Sequence, residues 1–226
     1  GVTREHLVFP IMPLTASEAR IRSGGAYYEY DPDLPSKWGV MPRNGTPDQM
    51  RWFDIPGIVM GHVMNAYTEG NLVHVDTPVS PGNCFCFFKD KHGNFPTPPE
   101  AVTQITRITF DLSKPGADAV TLHPVQGALG DMPKMDDRYA MEKYRVGYFA
   151  FRDFPRMGVA QIDWETEELR FHDLEAAAAQ EPLFVPRSAH SPEGDGYILT
   201  VVDRFAEKRT DLLILDGNDV SRPALA

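Results

Sequence analysis

Cysteine is almost absent. Only Cys84 and Cys86 occur among 226 residues, so neither a disulfide framework nor a four-thiolate zinc site is open to the chain. The pair stands as Cys-Phe-Cys. Read as one strand, side-chain alternation puts both thiols on one face, and disulfide geometry does not favour such near neighbours. Reduced thiols acting as small buried hydrophobes, and a cytoplasmic location, are expected. Positive charge is also scarce: the formal net charge is -10 and the pI about 5.1. Such a surface repels phosphate backbones and anionic lipid head groups, which excludes nucleic acid as a partner. No window approaches the roughly 18 to 20 apolar residues of a transmembrane helix, and "GVTREHLVFP" lacks a basic stretch leading into an apolar one. Missing too are a phosphate-binding glycine loop, Gly-x-Ser-x-Gly, His-Glu-x-x-His and Cys-x-x-Cys. P-loop chemistry and nucleophilic hydrolysis therefore have no support.

What is present is a succession of strand-length runs rich in Val, Ile, Tyr, Phe and Thr: "GIVMGHVMNAY", "LVHVDTPV", "ITRITFDL", "YRVGYFAF", "VAQIDW", "LRFHDL", "PLFVPR", "GYILTVVDRF" and "DLLILDG". Hairpin turns join several of them. Thr68-Glu69-Gly70-Asn71, Glu165-Thr166-Glu167-Glu168 and "AEKRT" each predict an antiparallel pair. The one helix-like piece, "LEAAAAQ", is about two turns long and runs into Glu-Pro, so it reads as a connector. With 18 Gly, 20 Pro and no strand-helix alternation, the chain is all-β: a sandwich, barrel or propeller. No strict repeat, Gly/Ser linker or composition break divides it, and "KPGADAV" and "SAHSPEGDG" read as surface loops. The chain opens on a strand-like run and stops at a turn, which is the pattern of part of a longer protein.

Chemistry is left to histidines and carboxylates. His6, His92, His123, His172 and His190 stand in polar or Pro/Gly-rich contexts and read as surface residues; His74 reads as a half-exposed structural histidine. His62 differs, because Val59, Met60, Val63 and Met64 surround it. A buried imidazole without a partner costs on the order of 1–3 kcal/mol, so it must hydrogen-bond or bind a metal. Spacing alone leaves a satisfied core histidine and a metal ligand both open.

The string "WFDIPGIVMGHVMNAYTEGNLVHVD" resembles the carotenoid cleavage oxygenase family, and within it the bacterial lignostilbene dioxygenases, which carry His-x-x-Asn-Ala followed by a Glu-Gly turn. "GVTREHLVFPIMPL", "KWGVMPRNG", "GDMPKMDDRYAMEKYRVGYF", "QEPLFVPR", "EGDGYILTVVDR" and "RTDLLILDG" follow in the family's order, so the resemblance covers essentially all of 1–226. It implies a seven-bladed β-propeller, of which this chain supplies part. On its axis sits non-haem ferrous iron, Fe(2+), held by four histidines, three of them supported by acids.

On that resemblance His62 is the third iron ligand. Asp131 stands where the family has Glu and would support His62; Glu181 would support the fourth histidine. Asp is one methylene shorter than Glu, so direct reach, a bridging water and a backbone shift all stay open. The first two histidines should precede Gly1 and the fourth should follow Ala226, and the Tyr and Lys that engage the substrate phenol are absent as well. His6, His74 and His123 do not occupy ligand positions. The aromatics Phe53 and Tyr67 flank the ligand run and are candidates for lining a substrate tunnel. The implied activity is dioxygen-dependent cleavage of an activated C=C bond in a stilbenoid, or less favourably an apocarotenoid, giving two carbonyl products. The alternative is a metal-free propeller fragment that binds or scaffolds.

Overall fold

The computed structural model describes residues 1–55 and 58–226. Pro56 and Gly57, the second of which opens the apolar run around His62, lie outside the described residues. Antiparallel strands form four successive sheets. The first is ordered β1 (His6–Ile11), β4 (Lys37–Pro42), β5 (Arg51–Asp54), with a short excursion, β2 (Leu14–Ala16) paired to β3 (Tyr28–Tyr30), between its first two strands. That excursion holds a helix, α1 (Glu18–Arg22), which the sequence reading did not expect. Ser17 caps it by accepting from the Arg20 amide, and Glu18 pairs with Arg22 one turn on.

In the second sheet β6 (Val59–Met60) and β7 (Asn65–Glu69) lie end to end along one side of β8 (Leu72–Ser80), followed by β9 (Gln104–Asp111) and the first half of β10 (Val120–Met135). The second half of β10 starts the third sheet, which continues through β11 (Val146–Asp153), β12 (Arg156–Asp163) and β13 (Leu169–Asp173). In the fourth, β14 (Ala177–Ala179) and β15 (Leu183–Pro186) again lie end to end, along β16 (Gly196–Arg204), with β17 (Arg209–Asp216) beyond.

Sheets stack face to face around three apolar layers. Val8, Trp38 and Phe53 meet Val73, Ile108 and Phe110 in the first. Met64, Tyr67 and Ile105 meet Phe149, Phe151 and Ile162 in the second. Tyr148, Ala150 and Val159 meet Phe184, Ile198 and Leu215 in the third. A middle sheet is thus covered on both faces, which explains why Val146–Phe151 is buried at every position and its sequence is apolar without alternation. Each large aliphatic or aromatic side chain so enclosed contributes about 1.5–3 kcal/mol. Stacked antiparallel sheets in chain order, the second and third of them sharing β10, are the blades of a β-propeller.

The three expected hairpins form, with Glu69 opposite Leu72, Ile162 opposite Leu169 and Arg204 opposite Arg209. Gly70, at φ +60°, supplies the left-handed residue that the first turn needs. Three expectations are corrected. "LEAAAAQ" is a turn followed by strand β14, because pairing with Val202–Arg204 and burial of Ala177 and Ala179 outweigh alanine's helical preference. The Cys84–Cys86 segment is a loop rather than a strand, with Cys84 partly buried and Cys86 exposed, both free. And the His62 run is two short strands with a break between them.

Candidate metal centre

That break carries His62. Pairing with β8 ends at Asn65 opposite Asp76 and resumes at Met60 opposite Val79, so Gly61–Met64 oppose only Thr77 and Pro78. Two surplus residues must bulge. Val63 and Met64 turn inward, Met64 into the core, while His62 is pushed outward and its side chain is 48% exposed. The expectation of an imidazole buried inside a strand is therefore corrected: Val59 and Met60 belong to β6, Val63 and Met64 turn inward within the break, and the imidazole is left half-exposed.

Asp131 reaches it from the next sheet. His62 Nδ1 lies 2.9 Å from Asp131 Oδ1, so the shorter acid needs no intervening water. The backbone provides the missing reach. β10 changes register between Asp131 and Lys134, with Gly130 at φ +147° and Met132 at φ +56°. A Cβ on Gly130 would fall 2.1 Å from the Ala150 carbonyl oxygen, so only glycine fits there. An ionised carboxylate only accepts, so Nδ1 carries the proton and the Nε2 lone pair is left over. Among the described residues Nε2 has no hydrogen-bond partner. The Asp131 hydrogen bond holds the imidazole pKa above its ordinary value, against partial burial; Glu181 adds to the rise and Arg152 opposes it.

Glu181 occupies the corresponding break of the fourth sheet, between β14 and β15, and its half-exposed carboxylate lies 3.1 Å from Lys134 Nζ. No histidine touches it among the described residues. His62, Asp131 and Glu181 thus stand at irregular points in the first strands of three consecutive sheets, where side chains leave the ladder. Phe53 and Tyr67 do not join them. β5 alternation sends Trp52 to solvent and Phe53 against Phe110, with ring centroids 5.2 Å apart. Tyr67 is stacked on His74 at 4.7 Å, and burial pushes its hydroxyl up to about 12. Both are 4% exposed or less and pack the interior, so tunnel lining is not their part.

His74 itself is buried rather than half-exposed, with Nδ1 2.9 Å from Thr109 Oγ1. His6 meets Thr68 and His123 meets Glu167, both away from His62. Among the described residues no three His, Cys, Asp or Glu side chains gather as a metal cage.

Sequence reasoning missed two neighbours of His62. A Cβ on Gly61 would lie 3.6 Å from the Phe85 ring, which packs with Phe87 and Phe88; the dense "CFCFF" run was the available signal. Arg152, on β11, shares with Asp131, Cys84 and Phe154 a cavity of about 70 Å³; nothing in its local sequence marked it. Burial pushes the Cys84 thiol up to about 12, so it is a protonated wall residue and no nucleophile.

All of the chain, residues 1–226, matches the family model described as Retinal pigment epithelial membrane protein. The chain is 35% identical over 241 residues to isoeugenol monooxygenase of Pseudomonas nitroreducens, covering 100% of this chain and 50% of that protein. It is 32% identical over 236 residues to lignostilbene-alpha,beta-dioxygenase isozyme III of Sphingomonas paucimobilis, covering 96% and 48%. Its fold matches the crystal structure of Pseudomonas brassicacearum lignostilbene dioxygenase with a TM-score of 0.89 at 33% identity, over 97% of this chain and 49% of that one. The Synechocystis apocarotenoid oxygenase mutant Glu150Asp matches at 0.84 and 21% identity, a likeness of fold alone. The chain spans about half the length of the curated relatives it matches. Matched from end to end and built of the same blades, it belongs to the carotenoid oxygenase family, that of the Retinal pigment epithelial membrane protein.

Proposed function

We propose that this chain forms one side of the centre of a non-haem iron(II) oxygenase that cleaves an activated carbon–carbon double bond into two carbonyl products. The observation that carries the reading is the direct His62–Asp131 contact with Nε2 left unused. An imidazole fixed in one tautomer by a carboxylate, with its other nitrogen in the open, is what a ligand to a divalent metal requires. His62 would hold Fe(2+) through Nε2. The iron would supply the dioxygen chemistry, and imidazole ligation suits it. Asp131 would orient the ring and raise its basicity, and His62 would have no proton to move.

One histidine does not make the site. The other three ligands would come from outside these residues, and Glu181 would support one of them by exchanging Lys134 for an imidazole. Relatives named for isoeugenol, lignostilbene and resveratrol support an aromatic alkene ahead of an apocarotenoid. Phe85, beside Gly61, offers such a substrate an aromatic surface next to His62. Free Cys84 and Cys86 are consistent with a reducing compartment, the cytoplasm in this reading. No helix among the described residues is long and apolar enough to cross a membrane.

The test is metal analysis of the intact protein. His62→Ala is expected to lose iron and alkene cleavage while keeping its fold, because the ring is half-exposed and its removal leaves no cavity. Asp131→Ala should weaken iron binding about 10- to 100-fold. Wild-type iron content in His62→Ala would reject the ligand role and favour a metal-free binding or structural module.

A further inference from the structure

The bulge at Gly61–Met64 needs a backbone anchor, because bulged residues forfeit ladder hydrogen bonds. On its inner side it has one: the Met64 amide donates to the Asp76 carbonyl at 2.7 Å. In an antiparallel strand, backbone groups of alternate residues face the same neighbour. Asp76 faces β7, so the residue two further along, Pro78, also turns its nitrogen to that side. Proline has no N–H to give. The ladder therefore lacks a donor where the His62 segment departs from β8.

A side chain fills that place. Thr77 Oγ1 donates to the His62 carbonyl oxygen at 2.5 Å, and Thr77 is wholly buried. Its β-branch limits the hydroxyl to few orientations. The strand beneath it is rigidly held as well: the Asp76 carboxylate receives Arg107 Nε and Nη2, each at 2.7 Å, and the Tyr144 hydroxyl at 2.7 Å. Arg107 in turn lies over the Trp164 ring, 4.2 Å from its centroid. Thr77 is thus fixed at its base, and of the two backbone carbonyls within reach of its hydroxyl, that of His62 at 2.5 Å is much nearer than that of Pro78 at 3.4 Å.

We propose that Thr77 is a positioning residue for the His62 imidazole: its hydroxyl replaces the ladder donor that Pro78 lacks and fixes the bulge from which the ring projects. Asp131 sets the rotation of the ring, and Thr77 sets where its backbone stands. The two constraints are independent, since one acts on Nδ1 from β10 and the other on the carbonyl from β8. The proposal rests on His62 being a metal ligand.

Thr77→Val keeps the size and branching and removes the hydroxyl; Thr77→Ser keeps the hydroxyl. Thr106→Val, on the neighbouring strand, removes another buried threonine hydroxyl, one bonded to the Gln104 carbonyl, and serves as the stability control. In the intact protein, Thr77→Val is expected to release iron to a chelator about tenfold faster. The visible spectrum of its cobalt-substituted form should shift, while Thr77→Ser and Thr106→Val match wild type in both.

Wild-type iron release and cobalt spectrum in folded Thr77→Val would overturn the proposal. So would Thr77→Ser behaving like Thr77→Val, which would make packing the cause. If Thr77→Val does not fold, Thr77→Ser is decisive through hydrogen exchange at the Met64 amide: protection equal to wild type supports the anchor, and lost protection refutes it. His62→Ala separates the two failures. Should it keep its iron, the ligand reading falls; should it lose iron while Thr77→Val holds it, only the Thr77 proposal falls.

Discussion

His74 shows how one residue type takes opposite environments in the same sheet. It shares the second sheet with His62, yet it is buried against Tyr67, and burial, with Arg107 nearby, lowers its pKa. The fold therefore refuses a proton that the unfolded chain accepts below about pH 6.5. Because the unfolded state then binds more protons, stability is fully present above that pH. It falls as the pH drops below it, by at most about 1.4 kcal/mol per pH unit, down to the lowered folded pKa. Melting temperatures between pH 7.5 and pH 5 are expected to fall more in wild type than in His74→Gln, and equal slopes would assign the acid sensitivity to other groups. His62 stood out in the sequence because its motif lay in family order, but its exposure did not show there. Local apolarity looks the same for a strand residue and for a residue bulged out between two strands.

Elements were legible where pattern and pairing agreed. Turn residues fixed the β7–β8, β12–β13 and β16–β17 hairpins, because a two-residue Gly-Asn link or a polar cluster between apolar runs permits little else. "LEAAAAQ" misled, since alanine carries no side-chain information about its surroundings and β16 alone decided its state. Strand β14 makes a clear forecast. Ala179 is 4% exposed while Ala178 next to it is partly open, as alternation demands. Ala179→Glu should cost several kcal/mol for a buried charge, and Ala178→Glu less than about 1 kcal/mol. Urea midpoints read the difference, and equal losses at both positions would contradict the strand.

Across the described residues, sheets are joined by apolar layers and by a buried ionic cluster around Asp76. Asp76 and Arg107 belong to the second sheet, while Tyr144 and Trp164 flank strands of the third, so the cluster ties neighbouring blades. Asp76 is fully enclosed, which leaves Arg107 an uncompensated charge if Asp76 is removed. Asp76→Ala is expected to destabilise the protein by about 3–5 kcal/mol. The double variant Asp76→Ala with Arg107→Met should lose less than the sum of the single changes, because the stranded cation goes with its partner. Additive losses in denaturant titration would show that the pair is not coupled.

By itself the sequence determined the all-β class, the order of most strands, three hairpins, the absence of hydrolytic and nucleotide-binding motifs, and the identities of His62, Asp131 and Glu181 as site candidates. The class, strands, hairpins and missing motifs follow from short-range facts, residue type, alternation and turn chemistry, whereas the three site candidates rest on the resemblance in motif order. The tertiary structure alone decided that Asp131 reaches His62 directly, that Phe53 and Tyr67 are core, that Phe85 lies beside Gly61 and Arg152 beside Asp131, and that the Thr77 hydroxyl meets the His62 carbonyl. Each depends on register between strands distant in sequence. The break between β6 and β7 and the register shift in β10 lie on different sheets, and where they face each other an acid one methylene short stands 2.9 Å from the imidazole.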